Sequence, residues 1–279
     1  MKTRRLTTSV IQMVTLSAVT AVLLFPLLLT LLTSLKPAEE IITTAPALFP
    51  RHWTLDNYRT LFALRDFPRY LWNSLLVASL TAAATTVIAA MAAYALVWMR
   101  FPGKRAMGRS VFFTYMFPDI LLVIPLFMVC YELALLDTRT ALVLTYLSLS
   151  LPFGIWLLKS YFESIPVSIL EAARLDGCSE FQCLWKVVLP VAMPAVAAVA
   201  VLTFVMGWSE YLYANTLITT NANRTIAIGL QTLAGYHRTD YGLLAAAGIV
   251  MVAPVVVFFL AVQKYLVEGL AFSTTKRPE

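Results

Sequence analysis

The chain is 279 residues long, 60% hydrophobic and only 13% charged, with a mean hydropathy of +0.78 and a net charge of +6. That composition excludes an ordinary soluble domain, in which about a quarter of residues are charged. The positive balance does not imply nucleic acid either, because the cations are spread over the ends of apolar segments, where membrane orientation already accounts for them.

Six apolar stretches reach the roughly 20 residues that a bilayer-crossing helix needs: Val10 to Leu32, Leu71 to Val97, Ser110 to Leu136, Thr140 to Phe162, Val187 to Trp208 and Tyr241 to Leu266. The expected fold is all-α, an integral membrane domain covering residues 1–279, with outer loops at about 36–70 and 216–240 and an inner loop at about 164–190. Six spans put both termini on one side, and the Lys and Arg distribution places that side in the cytoplasm. The inner segments then hold Lys2, Arg4, Arg5, Arg100, Lys104, Arg105, Arg109, Lys159, Arg174, Lys186, Lys264, Lys276 and Arg277. Lys36, Arg51, Arg59, Arg65 and Arg69 fall in one longer outer loop, which weighs less than the short, acid-free turn from Arg100 to Arg109. The first span follows Lys2-Thr3-Arg4-Arg5 like a secretory leader, but its apolar run is too long and no small-residue cleavage site precedes Lys36-Pro37, so it reads as a retained anchor.

In the third span, Asp119 lies about ten residues from the start, roughly 15 Å at 1.5 Å per residue, hence near mid-bilayer. A carboxylate at that depth is costly and faces a cavity or a partner helix; a helix–helix ion pair or a bond to a carbonyl freed by Pro118 or Pro125 fits equally. Glu132 lies further along the same span. Pro26, Pro118, Pro125, Pro152 and Pro254 each interrupt a span, as kinked helices around a wet cavity would require, although prolines are common in membrane helices generally. Cys130, Cys178 and Cys183 read as reduced packing residues, and no metal site is expected. Gly103-Lys104 lacks the upstream glycine of a phosphate-binding loop, and the two histidines, His52 and His237, stand far apart in outer loops. No catalytic residue and no cofactor is expected in this chain.

Between the fourth and fifth spans stands a polar, helix-forming insert that spanning alone does not require. Pro166 suits a first helical turn and Ser168 stands close enough to cap it; a short helix then carries Glu171, Ala172, Ala173, Arg174 and Asp176. Gly177 suits a left-handed stop, and Ser179 with Gln182 reads as a capping box opening a second helix, whose Phe181, Leu184, Trp185 and Val188 recur at helical spacing as one apolar face. An interfacial loop resting on lipid headgroups is one reading. The mixed-sign face of Glu171, Arg174 and Asp176 favours a protein groove instead. At the outer end of the fifth span, Trp208, Glu210, Tyr211, Tyr213 and Asn215 form either an aromatic belt at headgroup level or the lining of a polar cavity. The stretch from Thr219 to Asp240 is long enough to reach a docked partner, or is a solvated loop.

The insert resembles the EAA loop of permease subunits of ATP-binding-cassette importers: Glu-Ala-Ala at 171–173, Gly177, then Leu189-Pro190. The chain is further similar to carbohydrate-uptake permeases of the maltose-transporter type, specifically the subunit related to the smaller of the two maltose permeases. Asn73-Ser74-Leu75, Ala93-Tyr94-Ala95, Phe101-Pro102-Gly103-Lys104, Met116-Phe117-Pro118, Ile124-Pro125-Leu126-Phe127 and Gln263-Lys264-Tyr265 carry that likeness. It departs at Ser209, where such permeases often have asparagine, and at Phe272-Ser273-Thr274-Thr275-Lys276, which replaces the usual ending. The resemblance implies a bacterial or archaeal inner-membrane heterodimer with a second, homologous permease. Two ATPase subunits would bind ATP and Mg and grip the EAA loops, and an extracytoplasmic solute-binding protein would meet the outer loop. A carbohydrate would pass along Asp119, Glu132, Trp208, Glu210, Tyr211 and Asn215. These acidic candidates, with no Lys or Arg near mid-span, suit a neutral, hydroxyl-rich solute. The alternative is a stand-alone ion-coupled secondary transporter using Asp119, Glu132 and Glu210. The EAA insert discriminates, because a secondary transporter has no ATPase to hold.

Overall fold

The computed structural model describes residues 2–43, 47–64, 66–235 and 240–274, and side chains within 12–43, 47–64, 66–235 and 240–265. The expectations for Lys2, Arg4, Arg5, Arg65, Tyr236, His237, Lys276 and Arg277 lie outside these side chains. Among the described residues every regular element is helical, as low-dielectric surroundings demand, since a helix satisfies its own backbone groups. Four helices are long and apolar enough to cross a membrane: α1 (Lys2–Ser34), α4 (Phe67–Trp98), α7 (Arg139–Phe162) and α14 (Tyr241–Thr274).

The other two predicted spans are broken. The third becomes α5 (Lys104–Met116), a 3₁₀ turn over Asp119–Leu122 and α6 (Val123–Glu132), bent by 98° at Phe117-Pro118. The residue before a proline is pushed out of the helical region, and Phe117 adopts φ −76°, ψ 132° accordingly. A continuous Ser110–Leu136 helix is therefore corrected to two limbs, and Asp119 stands at the break rather than 15 Å along a rod. The fifth span is corrected likewise: Val187 and Val188 belong to the inner loop, and α11 (Met193–Ser209) begins after an 84° bend at Ala192.

The chain folds as two compact units, residues 1–68 with 229–253, and residues 69–228 with 254–279. In the first, α1 exposes its side chains throughout 12–28, and α2 (Ala38–Ile41) and α3 (Asp56–Ala63) order the outer loop. The Asn57 amide donates to the carbonyls of Ser34 and Lys36, both at 2.8 Å, and Ser34 pairs with the Tyr58 hydroxyl at 2.7 Å. Gly242 is required beside this knot, since a Cβ there would stand 2.7 Å from the Asn57 amide oxygen and 2.9 Å from Ile41.

The second unit packs α4, α7 and α11 against one another around small residues. A Cβ on Gly154 would already touch Ala89, Thr85 and Val199 at 3.1–3.3 Å, so the three helices approach as closely as glycine allows. Thr85 and Ser150 share a buried hydrogen bond of 2.6 Å in the same layer. One apolar cluster, with Ala93, Tyr94, Leu158, Phe162, Leu170, Cys183 and Leu184, unites the ends of α4 and α7 with the inner loop; another, with Val77, Tyr146, Tyr213 and Leu217, closes the opposite end.

Candidate functional site

The inner loop is built as two short helices around a glycine stop. α8 (Val167–Leu175) starts after Pro166, which occupies the capping position itself; no side chain caps it. Ser168 is thus not the cap expected, because it sits inside the first turn, where its hydroxyl cannot reach the free N–H groups ahead of it. Gly177 adopts φ +84°. The Cys178 N–H donates to the Ala173 carbonyl and the Gly177 N–H to the Arg174 carbonyl, both at 3.0 Å, the paired bonds of a Schellman stop. α9 (Glu180–Gln182) then opens with the expected capping box: the Gln182 N–H donates to Ser179 Oγ and the Ser179 N–H to Gln182 Oε1. A π-turn over Cys183–Val188 and α10 (Leu189–Val191) complete the limb. Pro190 offers no N–H to the carbonyl of Lys186, which leaves the ladder free to widen.

The apolar stripe predicted for the second helix divides. Leu184 and Val188 are buried, with Cys183, whereas Phe181 and Trp185 are exposed and rest on each other with ring centroids 5.8 Å apart. The widened turn explains the division, since a π-turn rotates side chains out of the 3.6-residue register.

On α8, Leu170 and Ala173 face the core, at 0% and 8% exposure. Glu171, Ala172, Asp176 and Gly177 are exposed, and Leu175 is 89% exposed, so Glu171 and Leu175, one turn apart, present an unsatisfied mixed face. A Cβ at Gly177 would meet nothing within 4 Å. Ala173 therefore belongs to the packing of the loop, whereas its neighbours are free to meet another protein.

Arg174 is turned inward along the loop. Its guanidinium grips Glu180 with two bonds of 3.0 Å, Nε to Oε1 and Nη2 to Oε2, and the Tyr94 hydroxyl donates to the same carboxylate. The pair cross-braces α8 and α9 and ties both to the end of α4. The bond from Arg174, then that from Tyr94, holds the Glu180 carboxyl below its ordinary range; Glu180 in turn raises the Arg174 guanidinium. Glu180 was not among the residues expected at this site. Its signal was the opposite charge six positions from Arg174, across a glycine that reverses the chain.

This brace is partly exposed, so its worth is about 1 kcal/mol, above a monodentate surface pair because the geometry is bidentate. Glu180→Ala is expected to speed amide exchange of residues 176–178 about fivefold, read by hydrogen–deuterium exchange. Because the folded-state pKa of Glu180 is lowered, the contribution is complete above the ordinary carboxylate pKa and disappears as pH falls through the lowered value. Exchange in the alanine variant equal to wild type at neutral pH would contradict the brace.

At the other end, the carboxylates have separate fates. Glu210 is half-buried: Oε2 accepts from the Tyr146 hydroxyl at 2.7 Å and the Ala214 N–H at 3.0 Å, and Oε1 accepts from the Tyr213 N–H at 2.8 Å. It thereby caps α12 (Leu212–Leu217), offsetting the free amides and positive dipole end of that helix. Trp208 is buried at 2% exposure and stacks on Phe204 at 5.8 Å. Tyr211 and Asn215 are exposed, on the outer face of α12 and its start. Glu132 is exposed at the end of α6. The expected constellation is therefore not brought together in one place.

Asp119 stands alone in a cavity of about 560 Å³ at the break between α5 and α6. Its carboxylate has no cation beside it among the described residues, which leaves the ion-pair reading without a partner. Its carbonyl accepts from the Tyr213 hydroxyl at 2.6 Å, so α12 props the break open. Tyr115, Phe117, Phe153, Ser148 and Thr203 share the lining; the Thr203 hydroxyl is buried without a partner. One carboxylate, hydroxyls and aromatic faces line it, with no cation among the described lining residues.

The segment 219–226 is held rather than loose. The Asp137 carboxylate accepts from the N–H groups of Thr219 and Thr220, both at 2.9 Å, and from the Thr220 hydroxyl at 2.7 Å. Burial raises the Asp137 carboxyl, but these bonds outweigh it and hold the group below its usual range. Asn73 donates to the carbonyls of Ala222 and Arg224, and Ser74 Oγ accepts from the Ile226 N–H at 2.8 Å. The Asn-Ser pair near the start of α4 thus fixes this segment.

The chain is similar in sequence to known proteins over most of its length. The model of the binding-protein-dependent transport system inner membrane component family matches residues 85–271. The inner membrane ABC transporter permease protein YcjP of Escherichia coli K12 is 35% identical over 255 residues, 91% of each chain. The sulfoquinovosyl glycerol transport system permease protein SmoH of Agrobacterium fabrum is 36% identical, over 88% of this chain and 87% of its own. The trehalose transport system permease protein SugB of Mycobacterium tuberculosis is 35% identical, over 91% and 92%. A chain from a bacterial ABC transporter involved in the import of the acidic polysaccharide alginate superposes with TM-score 0.81 at 25% identity, over 92% and 95%.

Proposed function

This chain belongs to the binding-protein-dependent transport system inner membrane component family, and on that premise we propose that it is the permease subunit of an ATP-driven importer that moves a carbohydrate across the membrane. It spans with six helices, two of them bent, and both termini lie in the cytoplasm. ATP and Mg are bound by two separate ATPase subunits, the second half of the pathway comes from a homologous permease, and an extracytoplasmic solute-binding protein docks on the ordered outer segment 219–226. The observation that carries the reading is the inner loop: a braced two-helix element with Glu171, Leu175 and Gly177 presented outward has no use in a transporter without a partner to grip it. ATP-driven closure of the ATPases pulls on α8; the Arg174–Glu180–Tyr94 brace passes that pull to α4, and the core shared with α7 passes it on.

Asp119 and the hydroxyls around it supply this chain's part of the pathway, selecting a neutral, hydroxyl-rich solute. Glu210 and Trp208 support the pathway wall, Tyr211 and Asn215 border its outer mouth, and Glu132 marks the outer end of α6. The test is reconstitution. The complex with the second permease and ATPase should accumulate sugar in liposomes only with ATP and a loaded binding protein. Uptake by this chain alone, driven by an ion gradient without ATP, would establish the secondary transporter instead.

A further inference from the structure

On the second unit, at the end that carries the inner loop, a groove of about 620 Å³ runs between α5 and α7. Its two walls share one gradient. Lys104, Arg105 and Arg109 occupy the first turns of α5, followed by Val111, Phe112 and Phe113; on α7, Ile155 and Trp156 precede Lys159 and Glu163. At the membrane boundary the α5 wall is thus cationic and the α7 wall carries an ion pair, and both turn apolar within one to two turns, about 5–11 Å, toward the interior. The exposed rings of Phe112 and Trp156 continue the apolar part, with Trp156 stacked on Tyr115 at 6.1 Å.

Two of the cations are already engaged. The Lys104 ammonium donates to the carbonyls of Val97 and Met99 at 2.9 and 3.0 Å, and Lys159 pairs with Glu163 at 2.6 Å. Arg105 and Arg109, one turn apart on the exposed face of α5, make no hydrogen bond or ion pair with any described residue. Among the described residues the only carboxylate lining the groove is Glu163, already held. A soluble anion would satisfy the arginines but leave the apolar walls wet, and an acidic protein segment would not fill the phenyl-lined half.

We propose that this groove binds an anionic phospholipid, its phosphate held between Arg105 and Arg109 and an acyl chain lying along Val111, Phe112, Ile155 and Trp156. Basic pockets between spans beside an apolar wall recognise such headgroups. The lipid would wedge α5 against α7 at the level of the turn that starts at Gly103, beside the coupling end of the molecule.

The test reads lipid mass rather than transport, so its failure is distinguishable from failure of the importer reading. The assembled complex is equilibrated with equal phosphatidylglycerol and phosphatidylcholine of distinct acyl mass and examined by native mass spectrometry. We expect one tightly retained phosphatidylglycerol per copy of this chain, with roughly a 30-fold preference from two arginines. R105Q/R109Q should lose it, whereas R105K/R109K should keep it, and excess inorganic phosphate should not displace it. Equal retention by R105Q/R109Q, equal binding of the neutral lipid, or displacement by free phosphate each overturns the proposal. So does a crosslink from position 109 to a partner subunit in place of lipid.

Discussion

In the assembled complex, Glu171→Lys is expected to lower substrate-stimulated ATP turnover by about 30-fold or more, and in the stronger case to release the ATPase on purification. Glu171 is exposed in this chain, on the face of α8 that also carries Leu175. Once a partner covers that face, the carboxylate becomes one side of a buried interfacial contact, and leaving its partner unpaired typically costs 2–5 kcal/mol, with about 1.4 kcal/mol per tenfold. Gly177→Val should act on the same interface by another route. No neighbour opposes a side chain there, so its cost is the left-handed backbone alone, about 1–2 kcal/mol and worst for a β-branched residue. The stop would open, and α9 would leave its angle to α8. Substrate contacts should be untouched in either variant. Wild-type, substrate-stimulated turnover in both would show that the loop is not the joint.

Replacing the cavity carboxylate is the second large effect. Asp119→Leu should raise the sugar concentration that half-saturates uptake by roughly 10- to 100-fold, the worth of a hydrogen bond to a charged group, about 1.5–3 kcal/mol. ATPase coupling through α8 should remain intact, because the cavity is lined by the middle of α7 and touches none of Arg174, Glu180 and Tyr94. Asp119→Asn keeps an acceptor and should cost less. Solute charge is the sharper discriminator: with one carboxylate and no cation in its lining, the cavity disfavours an anion at low dielectric. Uptake of a neutral disaccharide is therefore expected to exceed that of a sulfonated or phosphorylated sugar. If the anionic sugar is the true substrate and Asp119→Asn leaves its transport unchanged, both the charge argument and the role of Asp119 fail.

The inner loop was the most legible part of the chain because its signals are local. A left-handed glycine and a Ser–Gln capping box each act over three or four residues, and both stand where the sequence implies them; Pro166 stands one position earlier, at the cap rather than in the first turn. The misplaced cap at Ser168 is an error of one or two positions of the same kind. Glu180 was overlooked because its role depends on Tyr94, far away in sequence, and only packing of α4 against the loop brings the two together.

Composition and hydrophobic run length alone determined a helical membrane protein, since unbroken apolar runs of about 20 residues fit a spanning helix and are twice the length of a barrel strand. The order of polar and apolar segments determined where the polar two-helix insert lies. What tertiary structure decided is the use of each polar side chain at depth. Asp119, Glu132 and Glu210 are indistinguishable as letters in apolar surroundings, yet one lines a cavity, one is exposed at a helix end and one caps α12. A carboxylate's role depends on which donors reach it. Those donors, Tyr146, Tyr213 and Ala214 for Glu210 and, among the described residues, none for the Asp119 carboxylate, are set by bends of 98° and 84° whose direction no run of residues encodes locally.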